Sequence, residues 1–252
     1  MFDNLQLKLA SLLYQNAFPV YRKLYFGFKN KKDAYNLLLA SKLIKPGANV
    51  LDIGANVGFY GRHFVKCVGS TGHVYCFEPD VINYKHLQHE LKGFSNVTLL
   101  QKAVAAESGS LTLYTSDLLN IDHRTYEPEH YSEKYSVEKI SIDGFVNDKF
   151  KVDFIKMDIQ GFEMDALKGM TETLKANREI VLLTEFWPYG LQAAGSSATA
   201  VFDFLKQLEF NIYKVADNKL SKLTREEVAV MKVEFLSDTN VLVSRGRLTE
   251  DH

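Results

Sequence analysis

The sequence predicts an α/β fold built on a doubly wound, mainly parallel sheet, and three observations point there. Short β-branched runs alternate with helix-period segments from Asn49 onward, the pattern of consecutive βαβ units. Three β units fall between Asn49 and Val104, a spacing that suits such a sheet. A glycine-containing turn joins the first of these strands to the helix after it, where ligands bind in open α/β sheets.

The first strand is expected at 49–53, entered through Pro46-Gly47, and the first helix of the alternation at about 59–68. A turn at 69–72 opens a second strand at 73–78. Pro79-Asp80 then starts a helix with Asp80 as N-cap, which runs to about Lys92 and stops at Gly93. A third strand follows at 97–104. Strand-like pieces at 111–115 and 137–142 flank a polar stretch rich in Tyr and His, 117–136, read as an inserted loop. Alternation resumes with a strand at 152–159, a helix at 164–176, a strand at 180–186 and a helix at 197–208. Runs at 210–215 and 239–244 close the chain as an antiparallel pair. Residues 1–45 are helical in pattern, with basic and aromatic residues interleaved from Pro19 to Lys32. They are expected to form a helical cap on a domain spanning 46–252, with a membrane-surface helix as the alternative.

Composition narrows the class. At about 150 residues per domain, 252 residues make one large or two small domains. With 46% hydrophobic and 24% charged residues, the chain has the composition of a packed globular protein rather than a disordered one. Thirty basic residues against 31 acidic ones, with no long run of like charge, give no sign of nucleic-acid steering. Cys67 and Cys76 form no C-x-x-C pair, which argues against a disulfide scaffold and fits a reducing, cytoplasmic setting. The N-terminal residues lack the pattern of a secretory signal, and no uncharged apolar run reaches 18 residues, so no transmembrane segment is expected.

The segment Val50-Leu-Asp-Ile-Gly-Ala-Asn-Val-Gly58 is the most informative. A buried strand ends near Asp52, and glycines at 54 and 58 let the backbone approach a ligand at the start of a helix. A dinucleotide fingerprint registered on Gly54 would need glycines where Asn56 and Phe59 stand, and no Gly-Lys-Ser/Thr of a phosphate loop follows. The turn fits the looser D-x-G-x-x-x-G form used for S-adenosylmethionine, whose cationic sulfonium and amino group suit a carboxylate such as Asp52. Glu78, in Phe-Glu-Pro79 at the end of the second strand, is placed to accept hydrogen bonds from ribose hydroxyls. Asp52, Gly54, Ala55, Asn56, Gly58, Glu78, Pro79, Ala103 and Asp158 are the expected cofactor-binding residues.

These motifs, with Lys156-Met-Asp-Ile-Gln-Gly-Phe-Glu-Met-Asp-Ala-Leu-Lys-Gly169, resemble those of the FkbM-type methyltransferases from about Asn49 to Ser244. The resemblance implies a class I methyltransferase fold, a Rossmann-like seven-stranded sheet with one antiparallel strand. It also implies methyl transfer from S-adenosylmethionine, typically to a hydroxyl of a sugar or polyketide-like acceptor. Many relatives carry Glu where this chain has Gln160, which removes a charge from that position.

Methyl transfer from a sulfonium is an in-line displacement, so alignment of acceptor and methyl group comes first, with a base or a metal to draw off the hydroxyl proton. Asp158 is the leading catalytic candidate, because its strand delivers it to the carboxyl edge of the sheet. Glu163 and Glu185 are expected beside it as acceptor-binding residues, and the three carboxylates could hold a divalent cation, which leaves metal dependence open. In the loop Asp122-His-Arg-Thr-Tyr126, His123 is a candidate general base and Arg124 a clamp for an anionic acceptor. The motifs of base-directed amino- and C5-methyltransferases are absent, so a small-molecule or carbohydrate acceptor is expected rather than nucleic acid. A catalytically silent cofactor-binding module is the alternative, with Gln160 as its foothold.

Overall fold

The computed structural model describes residues 4–115, 124–125, 131–234, 238–246 and 248. Three helices come first: α1 (Asn4–Asn16), α2 (Phe18–Lys32) and α3 (Ala34–Leu43). The wound unit follows with β1 (Asn49–Ile53), α4 (Phe59–Val68), β2 (His73–Phe77), α5 (Val81–Glu90), β3 (Val97–Leu100) and β4 (Ala103–Val104). Next come β5 (Gly109–Thr115), β6 (Glu133–Ile140) and α6 (Ile142–Val146), then β7 (Phe154–Met157), α7 (Glu163–Lys168), α8 (Thr171–Ala176) and β8 (Val181–Phe186). The chain continues through α9 (Pro188–Ala193), α10 (Ala198–Gln207), β9 (Asn211–Ala216), β10 (Lys219–Lys222), α11 (Arg225–Ala229) and β11 (Thr239–Ser244).

Among the described residues the main sheet runs β10-β9-β11-β8-β7-β1-β2-β3. The central strands pair in parallel, Val50 with Val74 on one side and with Phe154 on the other. β11 lies antiparallel to both β8 and β9, and β10 hairpins back on β9. The sheet therefore has one strand more than the expected seven, and two strands rather than one run against the rest. The extra strand arises from the short turn at Asp217 and Asn218, both in left-handed backbone that short polar side chains tolerate.

Side chains alternate across the strands. Leu51, Ile53, Ile155 and Met157 join the apolar cluster on one face, while Val50 and Phe154 pack with Phe64 on the other. Asp80 caps α5 as expected, accepting from the backbone N–H of Ile82 and Asn83 at 2.9 and 2.7 Å.

Three further expectations need correction, and α9 had no counterpart among them. The run 97–104 divides, because Ala103 and Val104 leave the main sheet to pair with Lys139 and Ile140 in a second sheet ordered β4-β6-β5. The inserted segment is shorter than expected, since β6 already begins at Glu133. The helix expected at 164–176 is two helices, broken where Gly169 meets the Ala105 carbonyl: a Cβ there would lie 2.0 Å from that oxygen. The segment after Trp187 holds α9, begun by Pro188 in its first turn.

The N-terminal helices pack on the wound unit. Tyr14 donates to Asn83 Oδ1 at 2.6 Å, the Phe18 ring stacks on His86, and Arg22 pairs with the buried Glu90 of α5. Among the described residues, no helix is long and apolar enough to cross a membrane.

Candidate active site

The strand order reverses between β1 and β7, and a crevice opens at the carboxyl ends of these strands. On the β1 side the chain turns through three left-handed residues, Gly54 (φ 74°), Asn56 (φ 50°) and Gly58 (φ 90°). Gly58 caps α4 in that conformation. The backbone N–H groups of Gly54 and Ala55 both donate to the Phe77 carbonyl at 3.0 Å, which fixes the turn to β2. The crevice wall then runs from Ala55 and Asn56 past Glu78 and Pro79 to Ala103 and Leu113.

Glu78 follows β2 and is buried. One carboxylate oxygen accepts from the Asn56 N–H at 2.8 Å and the other from the Asp80 N–H at 3.0 Å. Burial pushes its carboxyl up to about 8 against the pull of those two donors. Asp80 in turn accepts the Tyr135 hydroxyl at 2.5 Å, so the β5–β6 hairpin is tied to the same corner near its loop end.

On the β7 side, Lys156 lies on the strand and Asp158 is the first residue beyond its end, two positions on. Lys156 is buried, and its ammonium donates to the Gly54 carbonyl at 3.1 Å. The same Nζ lies 3.8 Å from Asp52 Oδ1 and 3.7 Å from Asp158 Oδ2, over the Tyr60 ring at 5.2 Å. Burial favours the neutral amine, but Asp158 and Asp52 outweigh it and raise Lys156 above the usual lysine range. Asp52 is sealed beneath α4, where burial lifts its carboxyl to about 6 despite Lys156. Asp158 has 35% of its side chain exposed to the crevice. Burial opposes its ionisation, yet Lys156 and Lys29 win and hold it below the ordinary carboxylate value. Gln160 donates its amide to Asp158 Oδ1 at 2.9 Å, a bond that an ionised Glu at that position could not give.

The remaining predicted residues divide. Glu185, at the end of β8, lines the crevice; burial and the charge of Asp158 push its carboxyl well above the usual range. Glu163 does not line the crevice. It is buried at the start of α7, accepts from the Ile159 N–H at 3.2 Å, and is raised to about 7 by burial. Two carboxylates, Asp158 and Glu185, therefore converge where three were expected. Arg124 is buried with its guanidinium 5.4 Å from the Trp187 ring, and its neighbour Thr125 reaches the crevice. His123 lies outside the described residues.

Residue-by-residue reading missed the roof of the crevice, which α2 supplies through Tyr25, Phe28, Lys29 and Lys32. It also missed Lys156 as the centre of the charged cluster. A lysine in the apolar strand Phe154-Ile-Lys-Met157 was the available signal, because a lysine is buried only with partners.

The donor set fits S-adenosylmethionine. Glu78 offers carboxylate oxygens beside the glycine turn, and Phe77, Ala103 and Leu113 provide an apolar slot for a flat base. It does not fit a divalent cation. Among the described residues no three His, Cys, Asp or Glu side chains are grouped to hold a metal, and the ammonium groups of Lys29, Lys32 and Lys156 already face the crevice.

Residues 52–212 match the methyltransferase FkbM domain. The chain is 26% identical over 188 residues to the 2-O-methyltransferase NoeI of Sinorhizobium fredii, an alignment covering 68% of this chain and 76% of that protein. Among solved structures it is similar to a SAM-dependent methyltransferase from Aquifex aeolicus (16% identity, TM-score 0.48, 96% of this chain and 98% of that one). An rRNA methylase from Streptococcus thermophilus aligns at 10% identity and TM-score 0.48, over 85% of this chain and 95% of that one. With the domain match spanning the glycine turn, Glu78 and the Lys156–Asp158 strand, this chain belongs to the FkbM methyltransferase family and is an S-adenosylmethionine-dependent enzyme of the class I fold.

Proposed function

We propose that this methyltransferase methylates a hydroxyl oxygen on a sugar or another small hydroxylated metabolite. The observation that carries the proposal is Asp158: a carboxylate kept ionised by Lys156 and open to the crevice opposite the glycine turn. The 2-O-methyltransferase relative supports the same chemistry.

In this reading Gly54, Ala55, Asn56, Glu78, Pro79 and Ala103 hold the cofactor, with Glu78 on the ribose hydroxyls; Asp52, sealed beneath α4, and Gly58, packed against Leu87 and Glu90, shape the turn from behind rather than touching the cofactor as expected. When bound, S-adenosylmethionine supplies an electrophilic methyl group. Asp158 accepts the hydrogen bond of the acceptor hydroxyl and points its lone pair in line with that methyl. Because its pKa is low, Asp158 orients the hydroxyl and takes its proton only as the oxygen loses basicity during transfer. His123 remains the alternative base. Gln160 fixes the Asp158 rotamer, so uncharged Gln at this position is compatible with turnover. Glu185, whose hold on its proton burial and Asp158 strengthen, faces a polyhydroxylated acceptor, and Arg124 is assigned to any anionic group it carries.

The helical cap over 1–45, the methyltransferase domain over 46–252, the exclusion of nucleic acid as substrate and a reducing, cytoplasmic setting belong to the same proposal. Both cysteines being free thiols agrees with that setting.

The test is mass spectrometry of a panel of sugars and glycosides incubated with protein and S-adenosylmethionine. An acceptor gaining one methyl as an ether is the expected product, with kcat lowered ~10²–10⁴-fold in Asp158→Asn and cofactor affinity nearly unchanged. Methylation confined to nitrogen acceptors, or full activity of Asp158→Asn, would overturn it.

A further inference from the structure

The N-terminal helices carry a surface that the reaction does not use. On α2, Val20, Leu24 and Phe28 recur every four residues and are 52%, 60% and 41% exposed; on α1, Leu9 and Leu12 are 54% and 58% exposed. Residues spaced by four lie along one helix face, so the α2 side chains form a single apolar stripe. Lys23, Lys31 and Lys32, all exposed, flank that stripe and close its C-terminal end.

Charge shows what fits such a face. Residues 4–32 contain six basic side chains, Lys8, Arg22, Lys23, Lys29, Lys31 and Lys32, and no acidic one, although the whole chain is nearly neutral at −1. Arg22 and Lys29 are occupied by Glu90 and Asp33 within the protein. Lys8, Lys23 and Lys31 are exposed with no acid on either helix to balance them, while Lys32 turns toward the crevice. An apolar stripe edged by lysines is the pattern of a helix lying in an anionic lipid surface, with the stripe in the acyl boundary and the lysines among the headgroups.

We propose that α1 and α2 dock this enzyme on a membrane surface rich in anionic lipid, with Val20 and Leu24 as anchors and Lys23 and Lys31 as headgroup contacts. Phe28 belongs both to the stripe and to the crevice wall, so docking brings the crevice mouth to the lipid interface. The proposal stands independently of which hydroxyl is methylated.

Vesicle flotation of the full chain tests it, using phosphatidylcholine mixed with phosphatidylglycerol against pure phosphatidylcholine. Wild type should float with the mixed vesicles, remain behind with the neutral ones, and be released at high salt. Leu24→Asp and the double variant Lys23→Glu/Lys31→Glu should each partition ~10-fold less, at an unchanged melting temperature and unchanged S-adenosylmethionine affinity. Failure of wild type to float, or equal flotation of the variants, would overturn the proposal. So would a stable dimer by analytical ultracentrifugation that Leu24→Asp dissociates, because a second copy would then own the stripe.

Discussion

Gly54 and Asp158 meet as bare backbone across the floor of the crevice: a Cβ on Gly54 would lie 2.0 Å from the Asp158 carbonyl oxygen. The glycine turn after β1 and the end of β7 that bears Asp158 are thus held at a separation that only glycine permits, and the Asp158 N–H bonded to the Ile53 carbonyl at 3.1 Å keeps them there.

Gly54→Ala should therefore lose twice, once to the left-handed φ and once to the clash. The two effects together cost about 2–5 kcal/mol. Differential scanning calorimetry should show the drop in melting temperature, and titration calorimetry should show cofactor binding abolished. Wild-type binding by the alanine variant would mean that the turn is not the cofactor cradle.

Buried carboxyls make the cofactor-free protein sensitive to alkali. Burial raises Asp52 to about 6, Glu163 to about 7 and Glu78 to about 8. Each group binds its proton more tightly folded than unfolded, so its stabilising contribution is full below about pH 4, where the unfolded chain is also protonated. That contribution is lost progressively as pH climbs from about 4 to 8, each group's share ending at its folded pKa, and melting temperature should fall over the same window. Ribose hydroxyls bonded to Glu78, as proposed, would favour the ionised form, so S-adenosylmethionine binding below pH 8 should release a proton. Titration calorimetry in buffers of different ionisation enthalpy reads that proton directly, and Glu78→Gln should remove it.

Lys156 is the keystone of the charged cluster. Lys156→Met leaves Asp52 and Asp158 facing each other without a cation and should cost about 3–5 kcal/mol in urea unfolding. Asp158 then loses the charge that keeps its pKa low. The acid limb of the kcat–pH profile should consequently move to higher pH, a displacement that a purely structural lysine would not produce.

What the sequence made legible was local. The strand–turn–helix at Asp52 to Gly58 and the Asp80 cap declare themselves through glycines, periodicity and one short acidic side chain within a few residues. The antiparallel pairing of β9 with β11 was readable because both runs are β-branched and bounded by turns. Contacts between distant segments escaped. Nothing near Ala103 signals that it will leave its strand to pair with Lys139, and the need for glycine at 169 comes from the Ala105 carbonyl, 64 positions away. The lysines of α2 look like solvated charge until the helix is laid over the crevice, and Lys156 becomes tolerable only when β1 brings Asp52 alongside.

If Glu78 carries the ribose as proposed, the bond from Tyr135 to Asp80 couples cofactor binding to the β5–β6 hairpin. Glu78 divides its oxygens between Asn56 and Asp80, so a ribose seated on it competes for electrons already engaged by the cap of α5. Asp80 anchors the hairpin at Tyr135, and Arg124 bridges to Tyr114, next to Tyr135's cross-strand partner Leu113. Filling the nucleoside half of the crevice therefore tugs on the arm that shapes the other half, and thermodynamic reciprocity requires the arm to tug back by the same factor. A hinge of three hydrogen bonds would make acceptor affinity differ between the empty and the charged enzyme, and so favour loading the methyl donor first.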